Sequence, residues 1–450
     1  MPKSKFKQFK GDVDIFVPKG QEQQYLSKHG VALRQLANGA LIVGTTRRVE
    51  DAADVRVNIH FPHASYYEPV GKRGVSHLVE HFIFNKPHFL ANEKEAYYNA
   101  MTFSTHMELI MRGRAHPRVK DHGILPVVPV ALEQVTRPLV VTESSLKNEK
   151  NVVLGEIYEY QSDGNISERL NLLERTLLPQ DHPQIYNPLG TKGEVRGLTA
   201  EDVRQYHKHV FVPQGMIATV FVEGSPVITK TVLKELEKNI SAMPRRKGKS
   251  MTIDTSLLNK INPRYKQGAT YKKHSKTQDK QIKIHYVWLL PKTDYSVHTF
   301  AESRFFDAAQ QKMFQSFRKK GLGYTADPVD MHIGENKRVL GFVLTVANNG
   351  EDPKKFAKRI YQELKFDTFE QFTDSDITNI LKITQRRSAT GTSVSERFSD
   401  VLSGLKEYGR IIDSDKVQEV HKKVTRDHLQ AAQRTFLTTP PTVILEGDLS

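Results

Sequence analysis

The sequence predicts a mixed α/β (α+β) protein built from two homologous domains joined by a linker. Three observations carry that prediction. A chain of 450 residues is longer than one ordinary hydrophobic core supports, so it divides. Strand-like and helix-like patterns alternate along it. It also repeats itself. LTAEDVRQYHKHVFVPQGMIATVFVEG (198–224) and VTRDHLQAAQRTFLTTPPTVILEGD (424–448) each read as a Thr-capped helix, a Pro-containing turn, an apolar strand and Glu-Gly. DVRVNIHF before Pro62 and KIHYVWLL before Pro291 form a second pair, each followed by a loop and a helix. The offsets, 223 to 229 residues, are half the chain. A repeat of that period means a duplicated α/β domain rather than a solenoid.

Each element follows from local pattern. Residues 1–28 are polar and read as a loose arm. In VALRQLANGALIVGTTRR two β-rich runs flank Asn38-Gly39, a strong hairpin signal. Asp54 to Phe61 alternates apolar and polar residues and reads as a strand that Pro62 ends. A polar loop through Tyr66, Glu68 and Gly71 leads to Gly74 and a helix. Asn99 to Met111 reads as one or two strands, and Val127 to Val141 as a helix despite Pro129. Leu146 to Tyr160 is an amphipathic helix that tolerates Gly155. Thr199 caps a helix through His209, and Met216 to Val222 is a buried strand. The domains are then 29–242 and 281–450, with 243–280 as linker.

Composition narrows the function. Hydrophobic content of 38% and charged content of 26% fit a soluble globular chain. The longest apolar run, Ile124 to Leu132, is short and broken by Pro126 and Pro129, so no membrane span is expected. The opening MPKSKFKQFK lacks the apolar segment of a secretory leader. A cytoplasmic location is therefore expected ahead of the mitochondrial matrix. With no cysteine, any metal must rest on His, Asp or Glu. The net charge of +15 hints at nucleic acid. Yet 11 Lys/Arg against 2 Asp between Arg245 and Lys280 place 11 − 2 = +9 of it in the linker. No nucleic-acid module accompanies it, so nucleic acid is not expected as a main partner.

The chemistry lies in His77-Leu78-Val79-Glu80-His81. On a helix, positions i, i+3 and i+4 share a face. Two imidazoles and a carboxylate thus converge, a set suited to tetrahedral Zn²⁺ with a spare group for proton transfer. The order is the inverzincin H-x-x-E-H. A catalytic zinc needs a third protein ligand, and Glu156 or Glu159 on the acidic helix can supply it. The second-half counterpart, SRFFDAAQQ, has no histidine pair, so the metal belongs to the first half alone.

The chain resembles the pitrilysin/insulysin/mitochondrial-processing-peptidase family of inverzincin metallopeptidases, in its half-length, two-domain type. LANGALIV, GVSHLVEHFIF, NVVLGEI and NPLGTKGEVRGLTAEDVRQYHKHVFVPQGM carry the resemblance, well over 30–225 and loosely over 280–450. It implies mostly antiparallel sheets with helices packed on them. It implies one Zn²⁺ per chain on His77, His81 and Glu156, the last lying 75 residues after His81. Glu80 is then the general base, taking a proton from the attacking water and passing it to the leaving amine. Glu149, seven before Glu156, supports the ligands, while Glu159 is read as a solvated helix residue. An edge strand at Asn99, Ala100 and Thr102 would bind peptide by β-augmentation. Tyr324, and Arg318 in a shifted position, would stabilise the oxyanion from the second half. The stretch from His81 to Asn99 is about ten residues shorter than usual, which leaves the pocket wall less defined than the metal. The expected function is zinc-dependent endopeptidase action on peptides or unfolded segments, by a homodimer or a heterodimer with a related chain. The alternative is a non-catalytic or processing-complex subunit of the same family.

Overall fold

The computed structural model describes residues 13–84, 96–115, 123–162, 166–185, 187–244, 258–274, 281–322, 325–333, 337–347, 350–389 and 392–447. The first half opens with α1 (Glu22–Lys28) and the predicted hairpin, β1 (Val31–Gln35) and β2 (Leu41–Arg47). Gly39 takes φ +94° at the turn, a region that glycine enters without steric cost. Asn38 is buried and donates to Ile240 O at 2.7 Å. The next elements are β3 (Asp54–Phe61), α2 (Val75–Phe84), β4 (Ala96–Thr102), β5 (Met107–Arg114), α3 (Val127–Thr136) and α4 (Glu143–Ser162). Then come α5 (Ile166–Leu177), α6 (Lys192–Gly197), α7 (Ala200–Val210), β6 (Ile217–Glu223) and α8 (Pro226–Ser241). The second half runs β7 (Thr270–His274), β8 (Gln281–Pro291), α9 (Val297–Lys319), β9 (Thr325–Ile333), β10 (Lys337–Ala347) and α10 (Pro353–Lys365). It closes with α11 (Asp374–Ala389), α12 (Val394–Glu407), α13 (Ser414–Lys422), α14 (Arg426–Thr438) and β11 (Thr442–Gly447).

The strands form a six-stranded sheet, β1-β2-β6-β3-β5-β4, and a five-stranded sheet, β7-β11-β8-β10-β9. In each, one pair is parallel (β2 with β6, β7 with β11) and every other pair is antiparallel. Removing β1 makes the two orders superimpose strand for strand, as the sequence repeat predicts. The pleat explains the layers, since alternate residues of a strand face opposite sides. Val55, Val57, Ile59 and Phe61 of β3 join Leu78, Val79 and Ile83 of α2 and Val203 of α7 in one core. Ile284, Tyr286 and Trp288 of β8 do the same with Phe305 of α9 and Phe436 of α14.

The opposite faces are covered by exchange. Phe398, Val401 and Leu405 of α12 pack on Val31, Val43 and Ile217 of the first sheet. Leu172, Leu173 and Leu177 of α5 pack on Val287, Val339 and Ile444 of the second. Each half thus lends the other a helix that covers the outer face of its sheet.

Three expectations about the organisation of the chain shift. Ile15, Phe16 and Val17, placed by sequence in a loose arm, are buried, and Phe16 bridges Ile412. These three apolar residues find cover against Tyr408, Ile412 and the neighbouring part of the second half. The stretch 243–280, read as linker, contains β7, an edge strand of the second sheet. The helix expected over 127–141 ends at Thr136, because Arg137 precedes Pro138 and turns extended, with ψ 149°. No helix among the described residues is long and apolar enough to cross a membrane.

Candidate metal centre

α2 starts where a buried carboxylate holds its open end. The first N–H groups of a helix have no partner within it. Glu68 supplies one: its Oε2 accepts from Gly74 N at 2.8 Å and its Oε1 from Ser76 N at 2.8 Å, and the Ser76 hydroxyl also donates to it. Burial pushes this carboxyl up to about 7 in spite of its three donors. Gly74 sits at φ +87° with no room for a Cβ, which would meet Leu189 O at 2.5 Å. The helix entry is therefore fixed on both sides. Sequence reading placed Glu68 in a polar loop and missed this role. The available signal was an acidic residue shortly before a helix start, but six to eight residues is outside the span of a local cap.

Within α2 the predicted residues meet. His77 Nε2 and His81 Nε2 are 3.1 Å apart. Glu156 reaches across from α4, with Oε2 2.8 Å from His77 Nε2 and Oε1 3.5 Å from His81 Nε2. Tetrahedral zinc with bonds of about 2.0–2.1 Å sets its ligands about 3.3 Å apart, so this donor set fits such an ion. Glu149 lies two turns before Glu156 on the same face of α4. It is buried, and its Oε2 is 3.0 Å from His81 Nδ1. With Nε2 turned to the cluster, Nδ1 carries the proton and donates to Glu149, the contact that would orient His81 as a ligand.

Glu80 lies beside this group. Its Oε2 is 3.7 Å from His77 Nδ1 and accepts from Thr102 Oγ1 at 2.5 Å. Burial raises its pKa, but His77, Thr102 and His81 outweigh burial and hold it below the usual carboxylate range. Burial likewise disfavours the imidazolium of His77, yet Glu156 and Glu80 lift it to about 9. Glu156 is lowered, chiefly by its hydrogen bond to His77.

The remaining predicted residues divide. β4 is the edge strand of the described sheet, with Asn99 exposed, Ala100 buried and Thr102 half-buried against Glu80. Glu159 is exposed on α4, as read from sequence. Arg318 is exposed on the last turn of α9, its guanidinium 5.6 Å from the Phe314 ring centre. Tyr324 lies outside the described residues, so no site contribution from the second half is seen among the described ones.

No curated protein matches the chain in sequence. Residues 197–383 match the family described as Peptidase M16 inactive domain. That segment begins after Glu156, so the whole His–Glu cluster lies outside it. Similar solved structures include a protease from Helicobacter pylori, 16% identical with TM-score 0.69, over 93% of this chain and 99% of that one. A peptidase M16 inactive domain from Pseudomonas fluorescens is 14% identical with TM-score 0.69, over 93% and 97%. The periplasmic protease PqqL from Escherichia coli is 15% identical with TM-score 0.68, over 93% of this chain but 48% of that one. Residues 197–383 thus carry the sequence pattern of the peptidase M16 family, and the chain as a whole has the two-domain fold of M16-like proteases.

Proposed function

We propose that this chain is a zinc-dependent endopeptidase that hydrolyses peptides or unfolded protein segments. The observation that carries this reading is the convergence of His77, His81 and Glu156 from two helices, with Glu149 behind His81 and Glu80 alongside. His77, His81 and Glu156 would hold the ion. Zinc held there would supply a Lewis acid for the scissile carbonyl and lower the pKa of water beside it. Glu80 takes the proton of the attacking water and delivers it to the leaving amine. Thr102 keeps the Glu80 carboxylate in place by donating to one of its oxygens. Glu149 holds His81 in the tautomer whose Nε2 faces the cluster. The edge of β4 at Asn99, Ala100 and Thr102, unpaired among the described residues, accepts an extended peptide by main-chain pairing. That strand is joined to Glu80 through Thr102, so substrate would be laid beside the base.

We also infer pairing with a second copy or a related chain, by analogy with PqqL, of which the matched region is 48%. A second reading, a non-catalytic partner subunit, is favoured by the description of the family matched over 197–383. Glu80→Gln separates the two. The enzyme reading expects zinc at the His77 cluster in both forms and a loss of peptide hydrolysis of at least 10²–10⁴-fold in the variant. Unchanged hydrolysis in the variant, or a wild-type chain that binds no zinc, would sink it.

A further inference from the structure

We propose that His60, His106 and Glu108 form a second divalent-metal site, of the class that takes Zn²⁺, on the face of the first sheet opposite the His77 cluster. His60 and Glu108 are register partners on β3 and β5, so their side chains stand next to each other on one face. Their neighbours Ile59, Phe61, Met107 and Leu109 face the other way, into the core that holds Leu78 and Val79 of α2. The pleat therefore sends this second His–Glu group to the side that α12 covers.

The donor geometry fits an ion. Glu108 Oε1 is 3.5 Å from His60 Nε2, and Glu108 Oε2 is 4.0 Å from His106 Nε2. One ligand atom from each residue lies within 4.8 Å of the others. His106 is fixed from two sides. Its ring stacks on Phe103 with centroids 4.7 Å apart and planes 17° apart, and its Nδ1 is 3.1 Å from Thr105 Oγ1. Donation from Nδ1–H to that hydroxyl leaves the Nε2 lone pair toward Glu108, the outer contact a ligand histidine needs. The His60 and Glu108 side chains are 10% exposed and that of His106 is 28% exposed, so the site is dry on one side and open on the other.

Lys406 of α12 tells what balances this group now. Its Nζ is 3.2 Å from His60 Nδ1 and 3.1 Å from His60 Nε2. A point equidistant from both ring nitrogens is in line with neither, so the one lone pair of the neutral ring stays available to a better acid. Lys406 is exposed as a whole residue, yet burial beside the sheet holds its amine below the usual lysine range, so a swing into water costs it little. It acts as a tethered cation beside Glu108, which a divalent ion would displace.

The test uses the full chain carrying His77→Ala and His81→Ala, so that its outcome does not depend on the first site or on peptidase activity. Equilibrium dialysis against micromolar Zn²⁺, and absorption spectra with Co²⁺, read occupancy. Expected is about one ion per chain. Adding His106→Ala, at an open turn, should weaken binding more than the roughly 10–100-fold that loss of an outer partner costs. Adding Lys406→Met removes a charge a few ångströms from the ion and should tighten binding about tenfold. A folded His77→Ala/His81→Ala chain that takes up no ion overturns the proposal. So does uptake that neither His106→Ala nor Lys406→Met alters.

Discussion

The two halves of this molecule share a sheet order and differ in what their central helix brings to it. In the first half α2 carries His77, Glu80 and His81 on one face and Leu78, Val79 and Ile83 in the core. In the second half α9 turns Phe305, Phe306, Ala309, Met313 and Phe317 inward. Around Trp288 that half builds an aromatic core, with the rings of Phe306, Phe342, Tyr361, Phe369 and Phe436 centred within 6.5 Å. The fold is thus written in the alternation of buried residues, which both halves keep. The chemistry is written in a few polar side chains, which one half has and the other does not. A polar cluster buried without full compensation costs stability, whereas stacked rings add to it. The difference leaves the second half with an aromatic core and the first with the proposed chemistry.

The sharpest way to break that division is Trp288→Ala. The indole is 1% exposed and its Nε1 donates to Thr439 O at 2.9 Å. Its removal should cost about 3–5 kcal/mol by the cavity it leaves, seen as a lower denaturation midpoint. Zinc affinity of the molecules that remain folded should not change. A variant that lost zinc affinity while folded would show the halves to be coupled.

Glu149→Gln probes the first half alone. The change keeps volume but takes the charge from the acceptor of His81 Nδ1. Metal affinity should fall about 10–100-fold, measured by chelator competition, with a small shift in the midpoint of unfolding. Glu68→Ala comes next. It strips two N–H partners from the start of α2, and unfolding stability should drop by about 1–3 kcal/mol. Glu68→Gln keeps one acceptor oxygen and should recover part of the loss. Equal stability of the alanine variant and the wild type would mean that α2 is held by its core contacts alone.

The sequence made the repeat legible because it depends on local signals: a Thr cap, a Pro turn and an apolar strand leave marks within a few residues. The first two proposed metal ligands were equally legible, since helical spacing alone brings His77 to His81. Glu156 and Glu149 were reachable through family spacing, because nothing local says which carboxylate of a long helix faces a partner 70 residues away. Glu68 and the His60–His106–Glu108 group were not legible at all. The first depends on how a loop folds back, the second on strand register between β3 and β5. The exchange of α5 and α12 was hidden for the same reason. An amphipathic helix shows that it has an apolar face, not whose sheet will cover it.

The smallest expected effect tests how far the repeat extends into energetics. Thr199 and Thr425 each cap a helix with a reciprocal box, through Asp202 in α7 and His428 in α14. Removing a cap hydroxyl costs about 1 kcal/mol in general, so Thr199→Ala and Thr425→Ala should each lower stability by about that amount. They should not be equal. Asp202 is a carboxylate that also binds Lys72 at 2.9 Å, and its Oδ2 accepts from both the backbone and the hydroxyl of Thr199, at 2.8 and 2.7 Å. His428 accepts from the backbone of Thr425 at 3.1 Å with a ring nitrogen, a bond without charge assistance. Thr199→Ala should therefore be the more damaging of the pair, by a few tenths of a kcal/mol, in parallel urea titrations. The reverse order would mean that the two caps, alike in sequence, are set by their surroundings rather than by the partner each helix supplies.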